Sequence, residues 1–122
     1  MRLNHLDLPV SDTVATKAFF EQHFGFENLF ERDDGLVVML DDEDFALTLS
    51  PVPTNAPSEF PSGFHVGFNL QSEAEVRRKY QALSEAGVVI ARPLGMLGGA
   101  LTFQCMAPGE VLVEIAWRDN ER

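Results

Sequence analysis

One order of elements runs through this chain twice, and few folds accept such a repeat. A strand, a helix and three more strands are followed by a proline-rich stretch. The same order then begins again about 60 residues later. Asn4 to Val10 (NHLDLPV) and Phe64 to Leu70 (FHVGFNL) are the two opening strands, each alternating with a period of two. In both, the first polar residue on the non-core side is a histidine. His5 and His65 hold the same place in the two copies.

The first copy continues with a helix over 13–24. Ser11 or Asp12 is its N-cap, Gly25 its stop, and Ala15, Ala18, Phe19, Phe20 and Phe24 form its apolar side. Strands follow at 26–30, 36–40 and 45–49, separated by the acidic turns ERDD (31–34, with Gly35) and DDED (41–44). Residues 51–63 hold four prolines and read as a linker. In the second copy, Ser72 and Glu75 have capping-box spacing. Val76, Tyr80 and Leu83 mark the helix's buried stripe, with Arg77, Arg78 and Lys79 outside it, and Gly87 ends it. Strands are expected at 88–91, 101–106 and 111–117, with 93–99 a glycine-rich loop that could close over a site as a lid. GMLGG (95–99) lacks the lysine of a phosphate-binding loop. The fold class is therefore α+β, with two βαβββ modules (about 1–50 and 64–118). Each module leaves one sheet face for its helix and lines the other with the histidine-bearing side of its first strand, and two such half-sheets facing each other would make a cavity-enclosing half-barrel.

Composition narrows the partners. The 122 residues suit one domain, and 45% hydrophobic residues suffice for a core. A net charge of −10 argues against nucleic acid and against an anionic membrane surface. No apolar run reaches a membrane span, and MRLNHLDLPV lacks the apolar core of a signal peptide. One cysteine excludes an internal disulfide framework, so the expected location is cytoplasmic. Cys105 shares its face with Leu101 and Phe103 and reads as core.

Strand parity locates the chemistry. On the last strand, Val111, Val113, Ile115 and Trp117 form the helix-packing face, so Leu112, Glu114 and Ala116 point the other way. A carboxylate between Leu112 and Ala116 needs a metal or a strong hydrogen-bond partner to offset its burial. His5, His65 and Glu114 could converge on one cavity. Two imidazoles and a carboxylate suit a divalent metal ion (Fe, Mn, Zn, Ni or Co) with positions open to substrate. Asn69, Thr102 and Gln104 share the parity of His65 and could orient a ligand, while His23 has no role beyond ending its helix.

The paired βαβββ plan, NHLDLPV, FHVGF and VLVEI together resemble the vicinal oxygen chelate superfamily, which includes glyoxalase I, extradiol dioxygenases, methylmalonyl-CoA epimerase, and fosfomycin and bleomycin resistance proteins. The resemblance implies metal ligands at His5, His65 and Glu114, a small-molecule substrate binding through two oxygens, and lyase, isomerase or dioxygenase chemistry. It also implies a homodimer, with the ligands drawn from one chain or from two. The chain departs from the pattern in places. Where glyoxalase I has a fourth ligand on the last strand of its first half, the cavity-facing residues here are Ala46 and Thr48, which argues against that reaction. Asp7 stands where the fosfomycin group has a threonine, and only Arg92 answers to that group's phosphonate cage. Tyr80 lies on the outer helix, away from any extradiol-type dyad. The alternative is a metal-free protein of the bleomycin-resistance kind, sequestering a cationic aromatic drug in a Phe-rich, acidic cavity with Trp117 nearby.

Overall fold

The computed structural model describes residues 1–53 and 60–119. The chain divides into two compact units. Among the described residues these are 1–53 with 108–110, and 60–107 with 111–119. Each unit holds one four-stranded mixed sheet and one helix, so the expected pair of βαβββ modules in an α+β fold is what the chain adopts.

In the first unit the strands are β1 (His5–Val10), β2 (Glu27–Glu31), β3 (Val37–Leu40) and β4 (Ala46–Pro51), in the sheet order β1-β4-β3-β2. The parallel β1–β4 pair requires a crossover, and α1 (Thr13–Phe24) begins it. Asp12 is the N-cap, its side chain accepting the Ala15 N–H at 3.0 Å. Gly25, at φ 71°, takes the left-handed turn that stops the helix. The buried face matches the expected one at Phe19 and Phe20 and differs elsewhere. It is Thr13, Thr16, Phe19 and Phe20, while Ala18 is exposed. Helical spacing aligns 13, 16 and 20, and puts 18 on the far side from 16. Thr16 can be buried because its hydroxyl meets the Asp12 carbonyl at 2.7 Å and the Pro108 carbonyl at 3.0 Å. Leu8, Val10, Phe26, Met39 and Leu49 complete this core. Strand β2 is an edge strand with every residue exposed, and its pairing to β3 is irregular between Asn28 and Phe30.

The acidic runs are turns. The Asp41 carboxylate accepts the backbone N–H groups of Glu43 and Phe45 at 2.9 and 2.8 Å. Asp34 accepts from Leu36 N–H and from the Arg32 guanidinium, which holds its carboxyl below the usual range. Of the expected linker, Pro51 ends β4 and 60–63 lead into the next strand, while 54–59 lie outside the described residues.

In the second unit the strands are β5 (His65–Asn69), β6 (Ile90–Leu97), β7 (Ala100–Ala107) and β8 (Val111–Arg118), in the order β5-β8-β7-β6. Helix α2 (Glu73–Glu85) is capped by Ser72, whose hydroxyl accepts the Glu75 N–H. Glu75 reaches back past Ser72 to the Gln71 N–H at 2.7 Å. Its buried residues are Val76 and Leu83, and Tyr80 sets its ring edge-on to Phe103 with centroids 4.9 Å apart. Beneath it Phe103, Cys105, Val111, Val113 and Ile115 are fully buried.

The loop expected at 93–99 is instead strand. β6 runs to Leu97 and turns into β7 through Gly98 and Gly99, both at positive φ (59° and 80°). The segment is therefore half of a hairpin and no lid. Pro93 is tolerated because β6 is an edge strand and the ladder shifts register between Arg92 and Gly95, where no N–H is needed.

Candidate functional site

The ladder of the second sheet sets out one face as a grid. Gly67 of β5 pairs with Glu114 of β8, which pairs with Gln104 of β7, and Gln104 is the register partner of Arg92 on β6. One row along, Asn69 pairs with Ala116 and Ala116 with Thr102. On the other side His65 pairs with Leu112. A period of two therefore brings His65, Glu114, Gln104 and Arg92 to the sheet face away from the buried Val113 and Ile115.

Glu114 is the centre of this cluster. The Arg92 Nη2 donates to its Oε1 at 3.0 Å, and the Gln104 amide approaches the same oxygen at 3.5 Å. Arg92 also donates to the Thr102 hydroxyl at 3.3 Å, and that hydroxyl donates to the Ile115 carbonyl at 2.8 Å. The other carboxylate oxygen, Oε2, faces His65 Nε2 at 3.8 Å. The Glu114 and Arg92 side chains are 29% and 33% exposed, and that of His65 41%, so the cluster opens to solvent.

His65 Nδ1 lies 2.9 Å from the Gly63 carbonyl. A carbonyl only accepts, so Nδ1 carries a proton, and Nε2 is the ring nitrogen turned toward Glu114. Gly63 can point that carbonyl at the ring because it sits at φ 84° in the turn before β5. Gly67 leaves the grid open beside Glu114. A Cβ there would make only an ordinary contact, 3.8 Å from the Glu114 carbonyl.

The first unit repeats part of this. His5 Nδ1 lies 2.8 Å from the Asn4 side-chain oxygen, so its Nε2 is likewise left free. His5 pairs with Ala46, and Asp7 pairs with Thr48. Thr48 therefore holds the register place that Glu114 holds in the second sheet, and the neighbouring Asp7 accepts a hydrogen bond from Ser50 at 2.6 Å.

The expected site residues are thus distributed as follows. His65, Glu114, Arg92 and Gln104 are brought together. Thr102 is 3% exposed and braces Arg92 against β8. Asn69 is exposed at the end of β5. Trp117 pairs with Leu101, on the opposite parity to Glu114. His5 is carried by the first unit. Cys105 is fully buried with its thiol pushed up to about 11 by desolvation, as befits a core residue. Sequence reading missed the roles of Gly63 and Asn4 as acceptors for Nδ1, and of Arg92 as the partner of Glu114.

Among the described residues, no three His, Cys, Asp or Glu side chains lie close enough together to hold a metal ion. The donors nevertheless suit one. An imidazole with Nδ1–H on a carbonyl and Nε2 free is the arrangement metal-ligating histidines adopt, and Glu114 keeps one oxygen uncommitted.

Residues 2–115 match the family model of the glyoxalase/bleomycin resistance protein/dioxygenase superfamily. The chain belongs to that superfamily. Among solved structures of its members and relatives, a possible glyoxalase from Bacillus cereus is 36% identical, with a TM-score of 0.82 over 94% of this chain and 97% of that one. A mutant fosfomycin resistance protein, FosX, from Listeria monocytogenes, complexed with Mn(II) and 1S,2S-dihydroxypropylphosphonic acid, is 20% identical, with a TM-score of 0.79 over 98% of this chain and 92% of that one. Lactoylglutathione lyase from Agrobacterium tumefaciens is 18% identical, with a TM-score of 0.77 over 95% and 92%. The last two likenesses show the superfamily fold alone. No curated protein sequence matches the chain.

Proposed function

We propose that this superfamily member is a metal-dependent enzyme acting on a small substrate through two oxygen atoms, with His5, His65 and Glu114 as the metal ligands. The observation that carries the reading is the free Nε2 of His65 facing the uncommitted Oε2 of Glu114, with the Nδ1 proton held on Gly63. His5, with Nδ1 on Asn4, is the third donor of the same kind, supplied by the same chain or by a second copy in a homodimer. A bound divalent ion would act as a Lewis acid on substrate oxygens and stabilise an enolate or oxyanion. The chain's own groups orient it: Gly63 fixes the His65 tautomer, Arg92 and Gln104 fix the Glu114 rotamer, and Gly67 leaves room for substrate. Ala46 and Thr48 offer no carboxylate or imidazole as a fourth ligand, which favours isomerase, lyase or dioxygenase chemistry other than that of glyoxalase I. A cytoplasmic setting belongs to the same reading.

The second reading, a metal-free protein that sequesters a cationic aromatic compound, is favoured by one observation. Arg92 already neutralises Glu114, so the carboxylate does not need a metal to offset its burial. Titration decides between the two. Wild type is expected to bind Mn(II) at one ion per chain, and His65→Ala and Glu114→Gln to lose at least about tenfold in affinity. Saturable quenching of Trp117 by bleomycin, with no Mn(II) uptake, would select the second reading instead.

A further inference from the structure

The Arg92–Glu114 pair has a consequence for any cation that enters this site. Arg92 stands on the edge strand β6, at the register shift before Pro93, and its side chain crosses β7 to reach a carboxylate on β8. It is braced there by Thr102, whose own proton is spent on the Ile115 carbonyl. Among the described residues the donors on Glu114 converge on Oε1, which receives Arg92 at 3.0 Å and Gln104 at 3.5 Å, while Oε2 faces His65.

We propose that Arg92 is a positioning residue and the resident counter-ion of Glu114: it occupies Oε1, reserves Oε2 as a one-oxygen ligand, and makes any cation at Oε2 bind against a fixed positive charge. This rests on the metal reading of the same site and adds to it a control of affinity and denticity. A cation sharing one carboxylate with a guanidinium is repelled by it. The ordering that Arg92 provides is partly duplicated by Gln104, so repulsion outweighs ordering when Arg92 is removed. The site is thereby set for an exchangeable ion held by one carboxylate oxygen.

Two measurements test this. In chelator-treated protein, a thermal double-mutant cycle over Arg92→Met, Glu114→Gln and the pair should show coupling of roughly 3 °C. Strict additivity would overturn the counter-ion role whether or not the wild type binds metal. In Co(II) titrations followed by visible absorption, Arg92→Met should bind about tenfold tighter than wild type, with weaker d–d bands as Glu114 engages through both oxygens. Arg92→Lys keeps the charge and should stay within about threefold of wild type. Arg92→Met binding Co(II) no tighter than wild type would overturn the proposal, since a merely structural arginine predicts loss. If wild type takes up no Co(II) while the cycle still couples, the metal reading fails and the counter-ion role stands.

Discussion

At the scale of single residues, the site is a matter of which atom of each side chain is already committed. Glu114 has one oxygen held and one presented, and His65 has an Nδ1 proton on the Gly63 carbonyl and its Nε2 turned outward. Cys105 shows the opposite case, a reactive group with no role. Its thiol titrates near 11, above its unfolded value, because burial disfavours the thiolate. Native protein at pH 8 should therefore give essentially no reaction with a thiol-specific disulfide reagent, and full reaction on denaturation. Rapid modification of the native protein would contradict the core assignment. Alternation along FHVGF and VLVEI was enough to place His65 and Glu114 on one sheet face, because a strand's period of two leaves no choice. The pairing of Arg92 was not legible. It depends on a register shift and on a reach across two strands, which no local pattern encodes.

At the scale of elements, caps and turns carried the clearest signals. Asp12, Gly25 and Ser72 cap as their chemistry requires, and Ser72→Ala should lower stability by about 1 kcal/mol in chemical denaturation. The faces of α1 were less legible, since Thr16 is buried through two carbonyl partners that only the tertiary structure supplies. The strand expected at 88–91 became β6, but its run on to Leu97 was missed because proline and three glycines resemble a loop. An edge strand with a register shift absorbs the proline, and two of the glycines build the hairpin turn. Gly109 gives a sharper test of turn geometry. It sits at φ 83°, and a Cβ there would stand 3.0 Å from that of Val10. Gly109→Ala is expected to cost roughly 1–3 kcal/mol, whereas Gly95→Ala, with open space around it, should cost less than about 1 kcal/mol.

At the scale of the molecule, the duplication was legible because the two modules share the same order, cap chemistry and histidine position, and the superfamily follows from that plan. The reaction was not, since one scaffold serves many chemistries. Exposed apolar side chains lie on an edge strand of each sheet, Leu29 and Phe30 on β2, and Met96 and Leu97 on β6. With the superfamily resemblance they lead us to expect a homodimer, so sedimentation equilibrium should give twice the 13.6 kDa chain mass. A mass of one chain would remove the dimer. Among the described residues no helix is long and apolar enough to cross a membrane. The central claim is that His5, His65 and Glu114 hold a divalent metal ion, and elemental analysis of the purified protein tests it most directly. The expected result is close to one transition-metal ion per chain, retained through gel filtration or regained on titration, and lost in His65→Ala. Wild-type protein that carries no transition metal and gains none on titration would contradict it.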